Sequence, residues 1–256
     1  MRGPKQNYRE HRFPYAGQAR PMHYVLFIAN RTIHTRFGAV LLKGNLAWKV
    51  ASLSRRAAMM ATAGTADDEA FYEAARKKTE KLIPHLQPRS RVLDLGCGIG
   101  RFERFIAPHC AHITGVDPTP GFIRIATREN ADLPNADFRL GTSSDLSGVQ
   151  SSSIDFLFSL GVFERLPKSA VRRYLAEIHR ALCPAGRAYL EFLIRMAPRT
   201  VSRDGNVWNA SVYSLWGRDE VREAVEGTGF VTLATYEEPP VLTLLLEKTT
   251  SGRNIL

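Results

Sequence analysis

The sequence predicts an α/β fold in which helices cover both faces of a parallel sheet. A glycine-rich turn joins a short apolar strand to a helix in residues 91–101, which read RVLDLGCGIGR. Strand-like and helix-like apolar patterns then alternate as far as residue 194. Residues 154–160, IDFLFSL, form a nearly continuous apolar run of the kind found in strands that are buried on both faces. Together these three observations favour a doubly wound sheet.

The positive charge of the chain is confined to its first sixty residues. Residues 1–60 contain eleven Lys and Arg and one acidic residue, Glu10, so they carry the whole net charge of +10. Residues 61–256 are neutral. Such a segment could bind RNA or an anionic membrane surface, or it could be a cap with a solvated basic face. We favour the cap, and we rank a mitochondrial transit peptide last because of the prolines.

This basic, mostly helical extension divides into an arm and a helix. Three prolines argue against a long helix in residues 1–23. From about Val40, apolar residues at spacings of three and four predict one amphipathic helix. Its apolar stripe consists of Leu42, Leu46, Val50, Leu53, Ala57 and Met60. We expect a small-residue linker at residues 61–66, at the start of the main domain (61–256), with Thr65 as the N-cap of the next helix.

The elements of the main domain follow from apolar periodicity. The predicted strands are residues 91–95, 112–117, 136–140, 154–160, 187–194, 230–236 and 241–248. The predicted helices are residues 101–108, 121–129, 168–182 and 218–226. Because residues 237–240 are a short connection, the last two strands should form an antiparallel pair. Residues 195–216 are predicted to form a long loop whose aromatic residues, Trp208, Tyr213 and Trp216, either pack locally or cover a substrate.

The glycine turn separates two classes of cofactor. A dinucleotide-binding turn has the pattern GxGxxG, and its third glycine would fall at position 101. That position is Arg101, so the nicotinamide interpretation fails on one residue. The chain instead carries Asp94 followed by glycines at every second position, Gly96, Gly98 and Gly100.

This string resembles the first motif of the class I S-adenosylmethionine-dependent methyltransferases. Residues 113–126 (ITGVDPTPGFIRIA), 154–166 (IDFLFSLGVFERL) and 174–192 (YLAEIHRALCPAGRAYLEF) are similar to three later segments of that family, in the same order. The resemblance covers residues 91–194. It implies a Rossmann-like, seven-stranded sheet with a reversed last strand, S-adenosylmethionine as the cofactor, and methyl transfer as the reaction.

The resemblance also implies which residues bind the cofactor. The expected set is Asp94, Gly96, Cys97, Gly98, Gly100, Asp117, Pro118, Phe122, Thr142, Ser143, Ser159 and Leu160. Asp94 would accept a hydrogen bond from the cofactor's ammonium group or from the amides of the turn, and Asp117 would accept from the two ribose hydroxyls. Phe122 would pack on the adenine. Thr142 stands where the family often has an acidic residue beside the adenine, and Cys97 could equally be only a small turn residue.

On the acceptor side, we expect Glu164 and Arg165 to be the catalytic residues. In many small-molecule members of the family the corresponding motif ends in Glu-His-Leu, whereas this chain has Glu-Arg-Leu. The usual histidine base is therefore absent. Arg165 cannot act as a base at neutral pH, but it could bind a carboxylate or phosphate of the acceptor. Glu164 is the nearest titratable candidate for a base.

These features favour a small-molecule acceptor, with a hydroxyl on a natural product, sugar or lipid-linked compound as the methylated group. RNA methylation is the alternative, and it depends on residues 1–60 alone, because no Asn/Asp-Pro-Pro-aromatic motif follows the fourth strand. A non-enzymatic protein that keeps the fold is disfavoured by the intact glycine turn and Asp117. The three cysteines lack metal-ligand spacing, so we expect no metal site. Their odd number fits reduced thiols in a reducing compartment, so we predict a cytoplasmic protein.

Overall fold

Helices and strands alternate along the chain, as the sequence predicts. The structure, a computed structural model, describes residues 45–142, 145–195 and 214–249. The helices are α1 (Asn45–Ala51), α2 (Arg55–Ala63), α3 (Asp68–Thr79), α4 (Glu103–Ile106), α5 (Pro120–Glu129), α6 (Lys168–Ala181) and α7 (Arg218–Glu226). Short 3₁₀ turns lie at Ile83–His85, Ala107–His109 and Phe163–Arg165. The strands are β1 (Arg91–Leu95), β2 (His112–Asp117), β3 (Ala136–Leu140), β4 (Ile154–Ser159), β5 (Leu182–Leu193), β6 (Phe230–Glu238) and β7 (Val241–Lys248).

The seven strands belong to one sheet in the order β3-β2-β1-β4-β5-β7-β6. Strands β1 to β5 are parallel to one another, whereas β7 lies antiparallel to its neighbours β5 and β6. The expected seven-stranded sheet with a reversed last strand is therefore confirmed. The strand order reverses between β1 and β4, and in such sheets ligands bind beside the carboxyl ends of the strands at this reversal.

The centre of the sheet is buried on both faces. On β4, Leu157 packs in a cluster that contains Leu175 of α6. Its neighbours Phe156 and Phe158 point to the opposite face and pack in a cluster that contains Ile106 of α4. This arrangement accounts for the unbroken apolar run of β4, because both of its faces contact helices rather than water.

Strand β5 begins five residues earlier than predicted. A helix stop was expected at residues 183–186 because Pro184 cannot continue a helix. The chain instead enters the sheet at once, with Leu182 paired to Ile154. The register then shifts before the next pair, and Ala185 adopts a positive φ of 59° within the irregular stretch. The proline is thus accommodated in a bulge at the start of the strand.

The prediction of one continuous N-terminal helix is wrong for the described residues. Helices α1 and α2 are separate, and Ser54 caps α2 by accepting a hydrogen bond from the Ala57 amide. Leu53 lies at the break and is 74% exposed, so it does not belong to a buried stripe. Ala58 and Met59 are the buried residues of α2. The start of the expected helix and the whole arm lie outside the described residues.

The linker and the cap of α3 also differ from the prediction. Helix α2 continues to Ala63 and ends at Gly64, which is in the left-handed conformation. The N-cap of α3 is Asp67, whose Oδ1 accepts a hydrogen bond from the Ala70 amide at 2.9 Å. Thr65 lies two residues before this N-cap, and its hydroxyl accepts a hydrogen bond from the Asp67 amide. Helix α2 therefore crosses the expected boundary at residue 60.

Most of the predicted loop at residues 195–216, including Trp208 and Tyr213, lies outside the described residues. Trp216 is fully buried and forms a parallel bridge with Ile194. Its ring packs edge-on against Phe192, with 5.7 Å between the centroids. Trp216 is therefore a core residue rather than part of a lid. Among the described residues, no helix combines the length and apolarity that a bilayer span requires.

Candidate active site

The glycine turn lies directly after β1, beside the reversal of strand order. Gly96, Gly98 and Gly100 have φ angles of 87°, 56° and 76°. The amides of Gly96 and Cys97 both donate to the carbonyl of Val116, at 2.8 and 3.1 Å, so the turn is fastened to β2. A positive φ is readily available only to glycine, which explains why three glycines alternate here.

Close neighbours reinforce the requirement for glycine in this turn. A Cβ atom at Gly96 would overlap Cγ2 of Val162, a residue that follows β4. A Cβ atom at Gly100 would lie 2.6 Å from Nδ2 of Asn130. That same amide nitrogen donates to the Gly100 carbonyl at 2.9 Å. Asn130 therefore supports the turn from α5, a role that the sequence did not indicate.

Asp117 ends β2 and binds the turn. Its Oδ2 accepts a hydrogen bond from the Gly98 amide at 3.2 Å, and its Oδ1 accepts from the Thr119 amide at 2.8 Å. Burial raises the pKa of Asp117, and the two amides oppose this shift. Each carboxylate oxygen can accept a second hydrogen bond, so Asp117 can hold the turn and still bind ligand hydroxyls.

Two buried carboxyl groups lie beneath the turn. Asp94 is 1% exposed and Glu103, on α4, is 0% exposed. Burial raises the pKa of Asp94 well above its usual range, and Glu103 raises it further. Burial likewise raises the pKa of Glu103 to about 7. Asp94 was expected in the site from the sequence, whereas Glu103 was not, because a glutamate in the first turn of a helix is commonly explained by its stabilising effect on the helix dipole.

The other expected cofactor residues fall into two groups. Ser159 and Leu160 are buried below the turn, where the Ser159 hydroxyl donates to the Leu95 carbonyl at 2.9 Å. Phe122 is also buried, in a cluster with residues of α2 and α3. Pro118 follows Asp117 and is exposed. Thr142 is exposed, and its hydroxyl accepts a hydrogen bond from the Asp145 amide at 3.0 Å. Ser143 lies outside the described residues.

Helices α1 and α2 cover the turn and α5. The side chain of Thr62 lies 3.2 Å from where a Cβ of Gly98 would be, and Ser52 packs on Gly121. Arg55 binds Glu129 of α5 at 2.7 Å and Asp68 of α3 at 2.5 Å. Arg55 is therefore used for contacts within the chain.

Trp48 of α1 contacts both Phe122, an expected cofactor residue, and Arg165, an expected catalytic residue. Its ring meets the ring of Phe122 edge-on at 6.0 Å between centroids. The guanidinium of Arg165 lies over the same indole, 5.7 Å from the ring centroid. Trp48 is half-buried. It was missed from the sequence because only the three-dimensional path of α1 brings it to Phe122, which follows β2, and to Arg165, which follows β4.

Glu164 and Arg165 lie in the 3₁₀ turn after β4. Nε of Arg165 is 3.6 Å from Oε1 of Glu164, and both side chains are largely buried. Burial raises the pKa of Glu164, and Arg165 opposes this shift. Glu191 of β5 raises the pKa of Glu164 further, although Lys78 binds Glu191 at 2.9 Å. The turn after β4 therefore contains a partly desolvated carboxyl group beside a cation.

Arg101 stands where a dinucleotide-binding turn would have its third glycine, and the sequence indicated no other role for it. Its guanidinium lies 4.6 Å from the ring centroid of Phe102 and 5.4 Å from that of Phe71. Its Nη2 donates to the Thr62 carbonyl at 3.4 Å. Burial lowers the pKa of Arg101, and Asp94, which has the largest effect of the carboxylates that oppose this shift, favours its charged form.

The fold and this site define an α/β domain that can bind a nucleoside-type cofactor at the carboxyl edge of its sheet. Residues 92–186 match the family model described as a methyltransferase domain. They form a methyltransferase domain of the class I S-adenosylmethionine-dependent family, and the cofactor of that family is S-adenosylmethionine.

Two curated relatives illustrate the similarity. The biotin biosynthesis bifunctional protein BioHC of Cellvibrio japonicus is 30% identical over 160 residues, which are 60% of this chain and 30% of that protein. The ubiquinone biosynthesis O-methyltransferase of Xanthomonas axonopodis pv. citri is 29% identical over 121 residues, which are 46% of this chain and 49% of that protein. The chain thus spans less than half of the length of these two relatives.

Solved structures share the fold. A putative sarcosine dimethylglycine methyltransferase from Galdieria sulphuraria superposes with a TM-score of 0.56 at 18% identity, covering 71% of this chain and 87% of that one. An S-adenosylmethionine-dependent methyltransferase from Mesorhizobium loti superposes with the same TM-score at 16% identity, covering 68% of this chain and 98% of that one. At these identities the likeness concerns the fold alone.

Proposed function

We propose that the protein transfers the methyl group of S-adenosylmethionine to a hydroxyl group of a small molecule. The observation that carries this proposal is the placement of two chemically different groups at one edge of the sheet. The glycine turn with Asp117 follows β1 and β2, and Glu164 with Arg165 follows β4. A cofactor and an acceptor bound to these two groups would meet at the reversal of strand order.

The residues of the turn suit this cofactor. Asp117 would hold the ribose hydroxyls, and the backbone of Gly96 and Gly98 would lie against the aminocarboxypropyl chain. The cofactor lacks phosphates, which agrees with carboxylates such as Asp94 and Asp117 in the site. When bound, it would supply a methyl group on a sulfonium centre, and a nucleophile that bonds to the methyl carbon would displace the neutral thioether. Asp94 and Glu103 would favour its ammonium group, since both are acidic and lie beneath the turn.

Glu164 is our candidate for the general base. A hydroxyl acceptor must lose its proton as it attacks, and a carboxylate with a raised pKa is a better base than an exposed one. The Xanthomonas relative is a ubiquinone biosynthesis O-methyltransferase, which supports an oxygen acceptor for this chain. Arg165, stacked on Trp48, would bind an anionic or polar group of the acceptor.

The RNA alternative and membrane contact both depend on the basic extension. Most of residues 1–60 lie outside the described residues, and Arg55, which is described, is engaged with Asp68 and Glu129. We therefore keep the small-molecule acceptor as the proposal, together with a cytoplasmic location. The division of the chain at residue 60 into an extension and a domain also stays a proposal.

The test is incubation of the full chain with methyl-labelled S-adenosylmethionine and separate fractions of small molecules, lipids, RNA and protein. We expect label in the small-molecule or lipid fraction, in a product that resists base hydrolysis as an ether does. Glu164→Gln should lower kcat by about 10²–10⁴-fold, whereas Glu226→Gln, a control on the exposed end of α7, should have no effect. Label in RNA, or an unchanged rate for Glu164→Gln, would contradict the proposal.

A further inference from the structure

The carboxyl groups of Asp94 and Glu103 are buried together, and most of their oxygens lack a hydrogen-bond partner of ordinary geometry. Three of their four oxygens, Asp94 Oδ2 and both oxygens of Glu103, accept no hydrogen bond from any described residue. Buried polar groups are almost always paired, and an unpaired buried charge is costly. Two such groups in contact therefore call for a chemical explanation.

The protein makes space for Glu103 at this place. A Cβ atom on Gly115 of β2 would lie 2.6 Å from Oε1 of Glu103 and 2.9 Å from Cβ of Cys97. A residue larger than glycine would collide with the carboxyl group, so the absence of a side chain on β2 creates its niche. The Glu103 carboxyl thus lies against the face of the sheet at Gly115, the residue of β2 that is paired with Asp94 of β1.

The nearest cation does not bind this pair directly. The guanidinium of Arg101 is stacked on Phe102 and Phe71, and its hydrogen bond goes to Thr62. Its charge acts on both carboxyl groups from a distance. The backbone amides of Phe102 and Glu103 also lower the pKa of Glu103. Because an ionised carboxylate only accepts hydrogen bonds, Asp94 and Glu103 can bond to each other only if one of them carries a proton.

We propose that Glu103 is a positioning residue of the cofactor site, which shares one proton with Asp94 in the free protein and gives up this proton when an ammonium group binds beside Asp94. The proposal rests on the proposed function, because the ammonium group is that of S-adenosylmethionine. The released proton passes to the solvent, and the arriving positive charge takes its place beside the pair. Glu103 thereby orients the Asp94 carboxyl before the cofactor arrives.

The charged surroundings of the pair support a bound proton at neutral pH. Burial is the main cause that raises the pKa of both carboxyl groups, to about 7 for Glu103. Asp117 on β2 raises the pKa of Asp94 further, and Arg101 lowers the pKa of both groups. Burial also raises the pKa of the Cys97 thiol well above its usual range, so this neighbour is neutral.

Proton release makes cofactor affinity depend on pH. If one proton leaves on binding, the dissociation constant should fall by about tenfold for each pH unit until the free pair is ionised. Glu103→Gln provides the matched variant, because its amide can donate to Asp94 without an added proton and has nearly the same volume. The amino group of the ligand titrates equally with both proteins, so it cancels in the comparison.

The experiment is isothermal titration calorimetry of S-adenosylmethionine into the full-length wild type and Glu103→Gln. Each titration is run between pH 6 and 8, in buffers of low and of high ionisation enthalpy. We expect the wild type to release up to one proton more than the variant, and its affinity to rise more steeply with pH. Infrared difference spectra of the wild type should also lose the C=O band of a protonated carboxyl group on binding.

The outcomes are separable. Equal proton release by the two proteins, or an infrared spectrum without loss of the carboxyl band, would overturn the role of Glu103 while leaving the cofactor assignment intact. A wild type that binds no S-adenosylmethionine at any pH would instead overturn the proposed function. If Glu103→Gln does not fold, the infrared measurement on the wild type decides alone.

Discussion

Gly96→Ala tests whether the turn needs glycine for its backbone conformation and for its packing. The φ of 87° would cost alanine about 1–2 kcal/mol, the usual penalty of the left-handed region. The added Cβ would overlap Val162 Cγ2 and lie 3.2 Å from its Cγ1, an overpacking that costs about 1–3 kcal/mol. We therefore expect Gly96→Ala to lower the free energy of unfolding by about 2–5 kcal/mol.

Two further variants separate these contributions. Gly64→Ala adds a methyl group at a φ of 72° with no atom within 4 Å, so it should cost only the backbone penalty of about 1–2 kcal/mol. Adding Val162→Ala to Gly96→Ala removes the overlapping methyl groups and should recover the packing loss but not the backbone loss. Urea unfolding followed by circular dichroism gives each free energy, with the slope against urea as a check on two-state behaviour.

The comparison has a clear negative result. If Gly96→Ala and Gly64→Ala are equally destabilising, the contact between the turn and Val162 has no energetic weight. If Val162→Ala fails to recover stability in the double variant, the steric argument is wrong. Either result would refute the reasoning that the turn is tightly packed against the segment after β4.

Two more perturbations follow from the site. Trp48→Ala should destabilise the protein by about 1–2 kcal/mol by removing an aromatic pair and a cation–π contact, and Trp48→Phe should recover the part due to Phe122; urea unfolding measures both. The pKa of Glu103 is about 7 in the folded state, above the ordinary value that it has in the unfolded state. Between these two pKa values only the folded state keeps the proton, so the wild type loses stability as the pH rises through this range to about 7. Thermal unfolding should therefore show Glu103→Gln gaining stability relative to the wild type from pH 5 to pH 8, with the two histidines of lowered pKa, His85 and His179, cancelling in the difference; a constant difference would contradict the assignment.

Much of the fold could be predicted because its signals are local. Strands β1, β2, β3 and β7 have the predicted bounds, since apolar alternation and flanking turns mark them directly. The beginning of β5 could not be predicted, because the residues after Leu182 pair with β4 across a register shift. The break between α1 and α2 was also hidden, since Leu53 continues an apolar spacing and yet faces solvent.

The candidate site was predictable only where function follows from neighbours in the sequence. The turn with its Asp117 follows from spacing and from the family resemblance. The structure adds three residues to the site, Trp48, Arg101 and Glu103. Their contacts depend on the packing of elements that are distant in the sequence, such as the space that Gly115 of β2 leaves for Glu103. Tertiary contacts of this kind have no periodic signature, so a sequence without its fold does not reveal them.

The binding of S-adenosylmethionine to the full chain tests the central claim most directly. We expect calorimetry to show binding by the wild type and its loss in Asp117→Ala, which removes the acceptor of the Gly98 and Thr119 amides. Circular dichroism should show that this variant is folded, and Asp219→Ala, at an exposed position of α7, should bind as the wild type does. A folded wild type that binds no S-adenosylmethionine, or an Asp117→Ala variant that binds it with unchanged affinity, would contradict the account.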